Sequence, residues 1–144
     1  MITFGEKLKI YIEESGLSLL EFTERAEVEY STFRNILVNF KKNKGSLQIF
    51  LKYCYILGYK IDFILTNKET GEKLTELGIS AGGIIKMALT INKMTSFEIA
   101  EKLGITVSAV NQRIKNLSEN IGTINKFIEL ANTIGYNVDI AFVK

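Results

Sequence analysis

Met94-Thr-Ser-Phe-Glu98-Ile-Ala100-Glu-Lys-Leu-Gly104-Ile-Thr-Val-Ser108-Ala-Val110-Asn-Gln-Arg-Ile114 reads as two short helices joined by a tight turn. Thr95 followed three residues later by Glu98 is a capping box. In that arrangement the hydroxyl accepts the third helical amide and the carboxylate reaches back to the cap amide. The small side chain of Ala100 lets the two helices approach closely, and Gly104 supplies the turn between them. Ile105, Val110 and Ile114 fall at spacings that lock the second helix onto the rest of its unit.

The stretch has a counterpart earlier in the chain. Sliding the sequence by 77 positions lays residues 2–67 onto 79–144 without a gap. Identities include Gly5/Gly82, Glu21/Glu98, Asn43/Asn120, Gly45/Gly122, Phe50/Phe127 and Asp62/Asp139, with conservative pairs such as Leu37/Ile114 and Leu51/Ile128 between them. Gly58-Tyr-Lys-Ile-Asp against Gly135-Tyr-Asn-Val-Asp is the clearest segment. The chain is therefore expected to hold two copies of one small unit, residues 1–67 and 79–144, joined by a linker over 68–78.

Each unit is expected to hold four helices and one strand, a mainly α fold. A first helix runs near Phe4–Ser15 and again near Ala81–Asn92, and the second opens at the capping boxes of Ser18 and Thr95. The third covers about Tyr30–Asn39 and Val107–Leu117, and the fourth follows Ser46 and Thr123. Gly58 and Gly135 stand where a helix C-terminus takes positive φ. After each, alternation of Ile61, Phe63 and Leu65, and of Val138, Ile140 and Phe142, predicts a strand. A lone strand leaves its backbone unpaired, so each needs a partner. Pairing the two strands would make an internal pseudo-dimer. A local hairpin through Asn67-Lys-Glu-Thr-Gly71 into 72–77 is the alternative.

Composition narrows the function classes. The chain has 144 residues, 47% hydrophobic and 24% charged, the balance of a folded domain. It has no His, which removes imidazole bases, His-based triads and most zinc sites. The single cysteine, Cys54, excludes an intrachain disulfide and falls on an apolar helix face as an inert thiol. Gly82-Gly83 lacks the Lys-Ser/Thr of a phosphate loop. Asp62 and Asp139 are one position duplicated, read as edge or turn-bonded carboxylates rather than an acid/base pair. Tyr59 and Tyr136 are expected where the fourth helix meets the strand, with hydroxyls bonded at the surface. No catalytic residue, metal ligand or cofactor is expected. Charges interrupt the first apolar residues, and no apolar run of about 18 residues occurs, so neither leader nor membrane span is expected and the cytoplasm is the expected location.

On Met94–Ile114, its counterpart, the apolar fourth helix and the trailing strand, each unit resembles the helix-turn-helix of the Cro/C1-type (XRE-like) repressors, with a strand similar to that of antitoxin-like members. The resemblance implies a lambda-repressor-like fold, double-stranded DNA as partner and a base-reading third helix. The chain departs from the family at several places. The Gln that often follows the second helix cap is Leu19 in one copy and Ser96 in the other. In the first copy Thr23 replaces the small Ala, Glu27 the turn Gly and Glu29 the capping Thr. Carboxylates beside a groove-reading helix repel phosphate.

With Val110 and Ile114 inward, the third helix of the second copy presents Ser108, Asn111, Gln112 and Lys115, with Val107 at its start. Asn and Gln can each read adenine with two hydrogen bonds, Lys can reach guanine or phosphate, and Val can meet a thymine methyl. A merely solvated polar face is the competing reading. The first copy presents Tyr30, Ser31, Arg34 and Asn35, followed by Lys41, Lys42 and Lys44, which are either phosphate contacts or an ordinary solvated loop. Residues 1–77 carry 11 basic and 11 acidic groups and residues 78–144 carry 7 and 5, so the second copy is the more basic. The expectation is a sequence-specific, repressor-like transcription regulator in which one chain acts as a pseudo-dimer and the second repeat is the main base reader. The alternative is a protein-binding module, antitoxin-like or a phage-type inhibitor, that keeps the fold and engages a protein through the first repeat. No membrane partner is expected, and both a monomer and a homodimer remain open.

Overall fold

The computed structural model describes residues 2–144. The order is α1 (Phe4–Glu14), α2 (Leu19–Arg25), α3 (Tyr30–Lys41), α4 (Leu47–Ile56), β1 (Lys60–Asn67), β2 (Lys73–Leu74), α5 (Ala81–Ile91), α6 (Ser96–Leu103), α7 (Val107–Ser118), α8 (Ile124–Ile134) and β3 (Tyr136–Val143). The protein is mainly helical with one small antiparallel sheet of order β2-β1-β3. Helix starts recur 77 residues apart, Phe4 with Ala81, Leu19 with Ser96, Tyr30 with Val107 and Leu47 with Ile124.

Local chemistry accounts for the boundaries. Both capping boxes form, Ser18 with Glu21 and Thr95 with Glu98. Ser46 and Thr123 cap α4 and α8 through their side chains. Gly58 and Gly135 take φ of +91° and +112°. The third helices end at Lys41 and Ser118, two residues and one residue beyond the expected ends, with Phe40 buried in the first of these extensions.

The two long strands pair along their whole length, from Lys60 opposite Val143 to Asn67 opposite Tyr136. In this register Phe63 faces Ile140, its own counterpart in the other half. Ser46 and Thr123, also counterparts, form an isolated bridge. Beside it the Leu47 amide donates to the Gly122 carbonyl and the Ile124 amide to the Gly45 carbonyl. At both places residues 77 positions apart in the sequence meet.

Two expectations need correction. The hairpin and the inter-strand pairing are not alternatives: β1 pairs with β3 on one edge and with β2 on the other, at Leu65–Leu74 and Thr66–Lys73. The segment 68–78 is held to the sheet by further bonds. Asn67 caps the turn at Glu69 and Thr70, the Thr75 hydroxyl donates to the Phe63 carbonyl, and the Gly78 amide lies 3.4 Å from an Asp62 oxygen. Tyr136 is buried rather than at the surface, and its hydroxyl accepts from Asn92 Nδ2 at 2.8 Å.

The buried side chains of both halves form one cluster. Phe63 packs edge-on to Phe127, and Tyr11 stacks on Phe142 with ring centroids 4.0 Å apart. Cys54 lies inside this cluster, where burial pushes its thiol far above the ordinary value, so it carries no thiolate at neutral pH. On the open edge of β3 the Ile140 amide takes an Asp139 oxygen and the Ile140 carbonyl takes Lys7 Nζ. At this one residue the two backbone groups that an incoming strand would use are filled.

Candidate nucleic-acid interface

The site is built on α6 and α7 with the turn between them. Gly104 closes α6 in the left-handed region at φ +67°, which only Gly adopts without cost. Thr106 then caps α7, its hydroxyl accepting the Ala109 amide at 3.0 Å. Val110, Ile114 and Leu117 are buried and fix the rotation of α7 about its axis. That rotation leaves Val107, Ser108, Asn111, Gln112 and Lys115 together on one exposed face. Gln112 Nε2 donates to Asn116 Oδ1 at 2.9 Å, which holds its amide along the helix with the carbonyl oxygen and a second N–H free. Arg113 turns away from this face and pairs with Glu129 on α8 at 2.7 Å.

What fixes α7 against its unit is a pair of contacts that spacing does not reveal. A Cβ built on Gly82 would lie 2.2 Å from the Ser118 amide nitrogen, so α5 and α7 touch backbone to backbone. Asn120, with φ +54°, turns its Oδ1 onto the Ala81 amide at 3.0 Å and so supplies the start of α5. The first half repeats both devices: Gly5 sits against Lys41 and Phe40, and Asn43 accepts the Phe4 amide at 2.8 Å. The signal in the sequence was the repetition of these Gly and Asn identities, which carries position but not reason.

The equivalent face of α3 presents Tyr30, Ser31, Arg34 and Asn35, all exposed. The Arg34 guanidinium lies 5.7 Å from the Tyr30 ring centroid, a cation–π geometry that pre-orients it. The start of this helix differs in charge. Glu29 occupies the cap position without a side-chain hydrogen bond, and Glu27 takes φ +56° in the place of Gly104. Thr23, in the place of Ala100, is buried and is tolerated because its hydroxyl donates to the Leu20 carbonyl. Two exposed carboxylates thus flank the N-terminal end of α3, where α7 begins with Thr106 and Val107.

Lys41 is half-buried at the end of α3, whereas Lys42 and Lys44 are exposed in the loop that follows. This loop leads into Gly45, which receives the Ile124 amide, so these cations stand at the seam between the halves. The counterparts of the three lysines are Ser118, Glu119 and Ile121, so the loop after the third helix is cationic in the first half and not in the second. Among the described residues no His/Cys/Asp/Glu group is placed to hold a metal ion, and no helix is long and apolar enough to cross a membrane.

Residues 92–120 match a family model described as winged helix-turn-helix DNA-binding. The matched segment contains α6, the Gly104 turn and α7, and ends before α8. It supports a helix-turn-helix DNA-binding segment at this place in the chain, while the likeness to the Cro/C1-type group stays with the residues that suggested it. No curated protein and no solved structure matches the chain.

Proposed function

We propose that the protein is a sequence-specific DNA-binding regulator in which one chain plays the part of a dimer. The observation that carries this reading is the exposed face of α7, with Ser108, Asn111 and Gln112 toward its N-terminal half, inside the segment that matches DNA-binding proteins. Helices of this type read base edges with that half. The crossing points at Phe63–Ile140 and Ser46–Thr123 favour two units, 1–67 and 79–144, related by an approximate two-fold axis. The second unit reads bases. The first, with Glu27 and Glu29 beside α3, contributes mainly phosphate contacts through Arg34, Lys42 and Lys44. Repression is steric: a bound protein occupies the site a polymerase needs.

Selection of bound fragments from random duplex DNA at near-physiological salt tests the proposal. The expected result is one enriched, asymmetric motif with a stronger and a weaker half. Binding through Z phosphates gives a slope of log affinity against log salt of about −0.9Z. Absence of any enriched motif overturns the reading.

A further inference from the structure

We propose that the groove between α4, the sheet and the segment 77–79 binds a small organic anion with an aromatic body. The groove has a volume of about 660 Å³, within the range of about 300–1,000 Å³ that holds small ligands. Its floor is apolar, from Leu51, Ile61 and Phe63, and Leu77 forms part of its rim. Three lysine side chains line it, Lys52, Lys60 and Lys144, against one acidic side chain, Asp62. None of the three lysines is in an ion pair among the described residues. Asp62 is directed to the Gly78 amide. Lys144 Nζ lies 5.3 Å from the centroid of the Tyr59 ring, which places a cation and an aromatic face side by side. Tyr55 stands 74% exposed at the edge, an aromatic surface with little to cover it.

The comparison within the chain separates this site from a by-product of the scaffold. The counterparts of Lys52, Tyr55 and Lys60 are Glu129, Asn132 and Asn137. Glu129 is taken by Arg113. At these three positions two cations and an exposed aromatic ring of the first half are replaced by a carboxylate and two amides, whereas Tyr59 keeps an aromatic counterpart in Tyr136. Lys52, Lys60 and Lys144 are exposed cations beside an apolar floor, so the surface is complementary to a ligand that joins negative charge to a flat apolar body, the charge meeting the ammonium groups while the rings leave water.

Fluorescence titration with 8-anilinonaphthalene-1-sulfonate, an aromatic anion, tests the proposal, with N-phenyl-1-naphthylamine as its uncharged analogue. Saturable binding of one sulfonate probe is expected, about tenfold tighter than the neutral compound. Lys52→Glu with Lys60→Asn, which installs the residues of the other half, is expected to weaken it about tenfold or more. Lys42→Ala with Lys44→Ala leaves it unchanged. Amide shift mapping on the unaltered protein locates the probe without any variant, and shifts centred on Tyr59, Leu77 and Gly78 are expected. Equal binding of the neutral probe, unchanged binding in the Lys52/Lys60 variant, or shifts centred elsewhere overturns the proposal.

Discussion

Gly82 and Glu27 show how much of this protein turns on single backbone positions. A methyl group on Gly82 would meet the Ser118 backbone at 2.2 Å, and backbone cannot swing aside as a flexible side chain can. Gly82→Ala is therefore expected to push α5 from α7 and lower stability by about 1–3 kcal/mol, read by urea denaturation. Glu27 is the opposite case. It holds a left-handed conformation that costs an L-residue about 1–2 kcal/mol, and glycine adds back about 0.5–1 kcal/mol of chain entropy. Glu27→Gly is expected to raise stability by up to about 1 kcal/mol, seen as a higher thermal midpoint. An unchanged midpoint would show that the turn is not strained.

Among the elements, α3 and α7 are equal in length, 12 residues each, and different in chemistry. Asn111→Ala with Gln112→Ala removes the two exposed amide side chains that we propose read bases and is expected to abolish sequence preference, since a bidentate amide–base pair discriminates by about 1–3 kcal/mol. Arg34→Ala with Asn35→Ala is expected to weaken binding about equally on all sequences. Competition binding against specific and random duplexes separates the two, and equal effects would refute a division of labour. The capping boxes are a second element-scale feature. The Ser18 amide and then its hydroxyl hold the Glu21 carboxyl below its ordinary value. A lowered carboxyl contributes stability above its unfolded value and loses it as pH falls through the folded one, so the start of α2 loosens below about pH 4.5. Amide exchange at Glu21 followed down in pH checks this.

At the scale of the whole molecule, the two long strands pair along their length and the buried side chains form one cluster. Phe63 and Phe127, and Tyr11 and Phe142, pack across the division between the two halves. Urea unfolding is expected to give a single transition, with Tyr fluorescence and far-ultraviolet dichroism coincident. Two separated transitions would mean that each half carries its own stability. Tyr11→Ala removes a ring stacked on the other half and is expected to cost about 3 kcal/mol, shifting that one transition without splitting it.

The sequence by itself determined the elements and their order. Capping boxes, glycine stops and strand alternation are local signals, and eight helices and the two long strands followed from them. It also determined which α7 side chains face outward, because Val110 and Ile114 fix the helix face by spacing alone. Tertiary structure decided what depends on residues far apart in the chain. Gly82 against Ser118, Asn120 on the Ala81 amide, and Arg113 held by Glu129 all join groups whose meeting no local pattern encodes. The two-sided pairing of β1 belongs there too. The hairpin signal and the duplicated strand each implied a partner, but only a strand with two free edges takes both. The groove over Lys52 and Lys60 was likewise invisible, since its walls come from α4, the sheet, the segment after β2 and the loop after α7.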